Sequence, residues 1–115
     1  MSKLYELFSD PSVESFGRAL RYAIMKKEFG GCEDYASLIE LEYVETVEEF
    51  VESLKKFLRR YDACSRRYER ERGRASFKPN ENDLINLIRL TETYGVRNVS
   101  SSLIAHALVK ASKEE

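Results

Sequence analysis

Apolar positions in this chain recur every three or four residues over long stretches, the period of a helix face. Val13, Phe16, Leu20, Ala23 and Ile24 share one such face. With Ser12 as cap behind Pro11, they predict a helix from about Val13 to Glu28 that Gly30-Gly31 ends. A short helix is expected from Glu33 to Leu41. The strongest start signal is Thr46 with Glu49 three residues on, the spacing of a capping box. Behind it Val47, Phe50, Val51, Leu54, Phe57, Leu58, Tyr61, Cys64 and Tyr68 form one stripe at about 100° per residue. The spacing predicts the longest helix here, from Val47 to near Arg70. Gly73 to Pro79 reads as a loop, and Asn80 or Asn82 caps the next helix. That helix carries Leu84, Leu87, Ile88 and Leu90 and stops at Gly95. A last helix runs from about Arg97 to Ser112 with Val99, Leu103, Ile104, Ala107 and Leu108. A single Gly-centred turn makes these two a compact pair.

Only 2 Pro and 5 Gly occur in 115 residues, so the chain has few places to break. No strand alternation, internal repeat or low-complexity linker is present. The expected architecture is all-α, one domain over residues 1–115, a bundle of four to six helices. Hydrophobic content of 43% beside 34% charge fits a globular core rather than a disordered chain.

No apolar run approaches the roughly 18 residues of a membrane-spanning helix. The start, Met1-Ser2-Lys3-Leu4-Tyr5-Glu6, lacks the pattern of a signal peptide, so a cytoplasmic chain is expected. Cys32 and Cys64 have neither a CxxC neighbour nor a nearby histidine. They read as ordinary half-buried thiols rather than a disulfide or a zinc site. The absence of Gln together with abundant Lys, Arg and Glu fits a thermophilic source.

Net charge is -1, but its distribution is uneven. Residues 33–52 hold eight acids and no Lys or Arg. Residues 55–78 hold ten bases against three acids: Lys55, Lys56, Arg59, Arg60, Arg66, Arg67, Arg70, Arg72, Arg74 and Lys78. The seven helical bases of this set cover about 140° of arc, opposite the apolar stripe. A strip of this kind, roughly 25 Å long, has the shape to follow a phosphate backbone, and the guanidinium fork suits bidentate phosphate contact. Tyr61 or Tyr68 could stack on a base if exposed. Two other readings of the strip stand beside this one. It could dock on an acidic protein surface, such as residues 33–52 of a second copy, or it could be simply a solvated face.

Catalytic chemistry finds little support. His106 is the only histidine and has no nucleophile and orienting acid at a suitable spacing. A structural role fits it better than a catalytic one. The acids lack metal-ligand spacing, and Gly30-Gly31 is not followed by the Lys-Ser or Lys-Thr of a phosphate loop. Ser100-Ser101-Ser102 suits close helix packing or capping. A non-enzyme without cofactor or metal is expected.

The segments FGRALRYAIMKKEFG (16–30), VEEFVESLKKFLRRY (47–61) and DLINLIRLTETYGVRNVSSSLIAHALVK (83–110) resemble the small all-helical subunits of CRISPR effector complexes, especially the archaeal type I and type III kinds. The resemblance covers most of the chain and rests on no invariant motif. It implies a non-catalytic subunit, present in several copies, that lies beside the guide–target duplex or the displaced strand. Its partners would then be RNA, single-stranded DNA or both, together with other subunits of the complex. By that resemblance Arg59, Arg60, Arg66, Arg67 and Arg70 lie on the contacting surface, and Arg18, Arg21, Lys26 and Lys27 form a second patch. The near-neutral total departs from a strongly basic RNA binder and suits a subunit that adds a few contacts within an assembly. The alternative is a protein-interaction or oligomerisation module that touches no nucleic acid.

Overall fold

A computed structural model describes residues 2–24, 34–73 and 77–114. Among the described residues it contains six helices and no strand: α1 (Ser2–Phe8), α2 (Pro11–Ile24), α3 (Tyr35–Tyr43), α4 (Val47–Arg72), α5 (Glu81–Tyr94) and α6 (Val96–Glu114). The all-α bundle is therefore as the periodicity predicts. Gly30-Gly31, Cys32, Arg74 and the end of the first predicted helix lie outside the described residues.

Capping chemistry sets most of the starts. Thr46 and Glu49 form the capping box of α4: the Thr46 hydroxyl accepts the Glu49 N–H at 3.1 Å, and Glu49 Oε1 accepts the Thr46 N–H at 3.1 Å. Asn80 and Asp83 repeat the arrangement at α5. At α2 the cap is Asp10 rather than Ser12. Asp10 Oδ1 accepts the Ser12 N–H at 2.8 Å, and the Asp10 carbonyl accepts the Glu14 N–H at 2.9 Å. Pro11 takes the first helical position, where its missing N–H costs nothing. Gly73 ends α4 in the left-handed region (φ 68°), where a side chain would be strained. The short α1, for which the apolar spacing gives no signal, buries Leu7.

The core is one cluster drawn from several helices. Phe16 and Leu20 of α2, Phe50, Leu54 and Phe57 of α4, Leu87 of α5, and Val99 and Leu103 of α6 are all fully buried. The stripe on α4 thus faces inward as expected. Leu108, assigned to the apolar face of α6, is instead exposed, at 48%. Helices α2 and α6 make the most extensive pair. Gly17 permits it: a Cβ there would lie 2.7–2.8 Å from Nδ1, Cβ and Cγ of His106. His106 is buried and stacks at 5.0 Å on Phe8, in keeping with a packing role.

Polar ties connect the helices. The C-terminal carbonyls of α3 are met from α6: Arg97 Nη1 donates to Glu42 O at 2.6 Å, and the Ser100 hydroxyl donates to Leu41 O. Asp83 joins α5 to α2 by accepting the hydroxyls of Ser12 (3.4 Å) and Ser15 (2.8 Å). Cys64 departs from expectation, since it is disulfide-bonded rather than a thiol. Isolated spacing carries no information on such a bond, because the tertiary fold decides which sulfurs meet.

Candidate nucleic-acid interface

Helix α4 has 26 residues, roughly 39 Å at about 1.5 Å per residue, comparable to the longest dimension of the molecule, 41 Å. Its apolar stripe is used only in part. Phe50, Ser53, Leu54, Phe57, Tyr61 and Ser65 are buried, and beyond Ser65 no residue of α4 is. The basic residues Lys55, Lys56, Arg59, Arg66, Arg67, Arg70 and Arg72 are exposed, as is Lys78.

The strip is not uniform. Arg60 is turned into the fold: Nη1 donates to Ser37 Oγ at 3.1 Å and lies 3.7 Å from Asp34 Oδ1, while Nη2 donates to Glu40 Oε1 at 3.4 Å. Asp34 is the cap of α3 and holds the Ser37 hydroxyl at 2.7 Å, so this guanidinium fastens α3 to α4. Its donors thus serve three partners within the fold, while 43% of the side chain stays exposed. Arg59 faces Glu52 at 3.9 Å, an exposed pair of little strength. Arg66 and Lys78 both approach Asp62, at 3.0 and 3.7 Å. That shared carboxylate draws the segment after α4 back toward the helix. Arg72 lies 5.8 Å from the Tyr68 ring centroid. Arg66 and Arg70 flank a shallow depression with Ala63 and Glu69.

Tyr61 is not a stacking platform. It is 3% exposed, and its hydroxyl donates to the Phe77 carbonyl at 2.5 Å. Tyr68 is half-buried. In the second patch, Arg18 is exposed and Arg21 half-buried, whereas Lys26 and Lys27 lie outside the described residues. Sequence reasoning missed Phe77, which packs against Arg18 and Tyr22. No local pattern joins residues so far apart in the chain.

The acidic segment 33–52 presents another surface. Tyr35, Ile39 and Tyr43 occupy successive turns of α3 and are 51%, 56% and 72% exposed. Beside them runs a groove bordered by Glu40, Glu48, Glu49 and Glu52. The Glu49 carboxyl is held below its ordinary range, first by the N–H of Glu45 and then by that of Thr46. Among the described residues no cluster of His, Cys, Asp or Glu is placed to hold a metal, and no helix is long and apolar enough to cross a membrane.

The chain is 44% identical over 113 residues to an uncharacterized protein of Archaeoglobus fulgidus, an alignment covering 98% of this chain and 88% of the relative. The two belong to one family. No family model and no solved structure matches the chain. The family likeness spans α1 to α6 and therefore includes both the basic half of α4 and the acidic groove.

Proposed function

We propose that this protein is a non-catalytic small subunit of a nucleic-acid-bearing complex, of the CRISPR-effector kind its sequence resembles. In this reading the C-terminal half of α4 touches the guide–target duplex or the displaced strand. The supporting observation is the exposed set Arg66, Arg67, Arg70 and Arg72 on a stretch of helix with no buried residue. Arginines held on a helix at this spacing can follow phosphates without reading bases, so contact would be independent of sequence. Lys55, Lys56, Arg59 and Lys78 extend the surface, while Arg60 serves the fold. With net charge -1, long-range attraction is weak, which suits action within an assembly rather than alone.

Reversal of Arg66, Arg67 and Arg70 to Glu tests the proposal by fluorescence anisotropy at low salt, near 50 mM. Binding to RNA and single-stranded DNA should fall for every sequence, and the log–log salt slope should flatten by roughly 0.7–0.9 per contact removed. Unchanged binding, with loss of association with partner proteins, would replace it with the protein-docking reading. That second reading has its own observation in the exposed row Tyr35, Ile39 and Tyr43 beside the acidic groove, the composition of a protein contact surface.

A further inference from the structure

A groove on α2 is lined by residues that include Glu14, Ser15, Arg18, Arg21, Tyr22 and Phe77. Two guanidiniums are braced there by aromatic rings. Arg18 Cζ lies 4.3 Å from the Phe77 ring centroid and 5.3 Å from that of Tyr22, and its Nε donates to the Tyr22 hydroxyl at 2.9 Å. Arg21 Cζ lies 4.8 Å from the same Tyr22 ring. The rings meet edge to face at 6.0 Å and 87°. Phe77 is anchored in turn, because its carbonyl accepts the buried Tyr61 hydroxyl.

An exposed arginine normally samples many rotamers, and ordering it opposes ligand binding. Here the stack and the hydrogen bond to Tyr22 have already restricted Arg18. With Nε so engaged, Nη1 and Nη2 form the parallel pair of donors that matches two oxygens of one anion. Arg21 adds a second positive charge beside the same ring; the carboxylate of Glu14 lines the groove, and that of Asp83 is held at its edge by Ser15. We infer that this groove binds a phosphate group, with Arg18 as the fork and Arg21 as the second charge. The phosphate could be a backbone phosphodiester or a free phosphate monoester. None of the α4 bases lines this groove.

The test is amide-resolved NMR titration of the full ¹⁵N-labelled chain at constant ionic strength with inorganic phosphate, adenosine 5′-monophosphate, acetate, and an oligonucleotide of roughly 12 nucleotides lacking terminal phosphate. Phosphate should shift Ser15, Arg18, Tyr22 and Phe77 saturably, whereas acetate should bind far more weakly. Arg18→Gln should weaken phosphate about tenfold or more, the loss of a charge-assisted hydrogen bond. Arg18→Lys, which keeps the charge without the fork, should fall between, and Glu14→Gln should tighten binding. Displacement of phosphate by the oligonucleotide identifies a backbone source, and displacement by the mononucleotide alone identifies a monoester source. Reversal of Arg66, Arg67 and Arg70 should leave phosphate binding intact, which separates this site from the proposed function. Shifts spread over all surface cations, or acetate binding as well as phosphate, would overturn the inference. The wild-type titration decides the matter even if Arg18→Gln unfolds the chain.

Discussion

The two halves of α4 both carry basic residues and do different work. From Val47 to Arg60 the helix is built into the molecule: Phe50, Leu54 and Phe57 are fully buried, and Arg60 reaches across to α3. From Tyr61 to Arg72 only Tyr61 and Ser65 are buried, and the arginines face outward. A helical wheel puts all these bases on one arc, yet neighbours determine which of them are available. A basic residue next to an acidic helix cap becomes part of the fold. One on a stretch with no buried residue stays accessible to a phosphate or to an acidic partner surface. The contrast explains how a chain of net charge -1 still presents a cationic surface.

The largest effect that would test this contrast is on the packed half. Leu54→Ala should cost about 2–5 kcal/mol in urea or thermal unfolding, because Leu54 is fully enclosed by the core. Substitutions of the exposed arginines beyond Ser65 should stay within about 0.5 kcal/mol apiece. Equal costs in the two halves would erase the distinction. The outer half has a different restraint in the Cys64 disulfide. Reduction with a thiol should destabilise the protein by about 2–4 kcal/mol. Amide exchange should rise more in residues 62–72 than in residues 50–57. Uniform loosening along α4 would show that packing holds both halves alike.

A smaller effect separates Arg60 from its neighbours. Its guanidinium is partly exposed, which weakens its ion pairs by solvent screening, but removing it also takes one donor from Ser37 and one from Glu40, which keeps the Ser53 hydroxyl. Arg60→Ala should cost about 1 kcal/mol, against almost nothing for Arg70→Ala. In nucleic-acid binding the order should invert, with Arg67 and Arg70 mattering more. A double-mutant cycle of Arg60→Ala with Glu40→Gln should show coupling, and strict additivity would remove the clamp.

What could be read from the chain, and what could not, follows from distance along it. The caps at Thr46 and Asn80 and the stripe Phe50–Leu54–Phe57–Tyr61 were legible because each depends on residues within a turn or two. Asp10 was overlooked as a cap only because Pro11, itself a common first helical residue, separates it from the apolar pattern. Arg60 could not be set apart from Arg59, because Asp34, Ser37 and Glu40 lie more than a helix away in sequence. The same holds for Phe77 beneath Arg18 and for the bond at Cys64. Exposure of the strip was predictable from periodicity, whereas the division of labour within it needed the fold.

The smallest predicted effect lies at the acidic start of α4 and concerns pH. Glu49 accepts the N–H groups of Glu45 and Thr46 at 3.0 and 3.1 Å, and these bonds favour its charged form. Its pKa in the folded chain is accordingly lowered from the ordinary 4.5, the backbone N–H of Glu45 being the leading cause. A depressed folded value means that the unfolded chain binds the proton more readily. The stabilisation is therefore complete above the ordinary carboxylate pKa and is lost as pH falls through the lower folded value. Glu49→Gln should leave part of the capping box in place while removing this acid-side dependence, so wild type and variant should converge in stability as the solution is acidified. Thr46→Ala, which takes away the hydroxyl that accepts the Glu49 N–H, should lower stability at neutral pH. Direct NMR titration of the Glu49 carboxyl should yield a value below 4.5 that moves back toward it in Thr46→Pro, where the Thr46 N–H is gone but the dominant Glu45 bond remains. A Glu49 that titrated at its ordinary value in the folded protein would mean that the box is open in solution, and the inner half of α4 would then be held by its core residues alone.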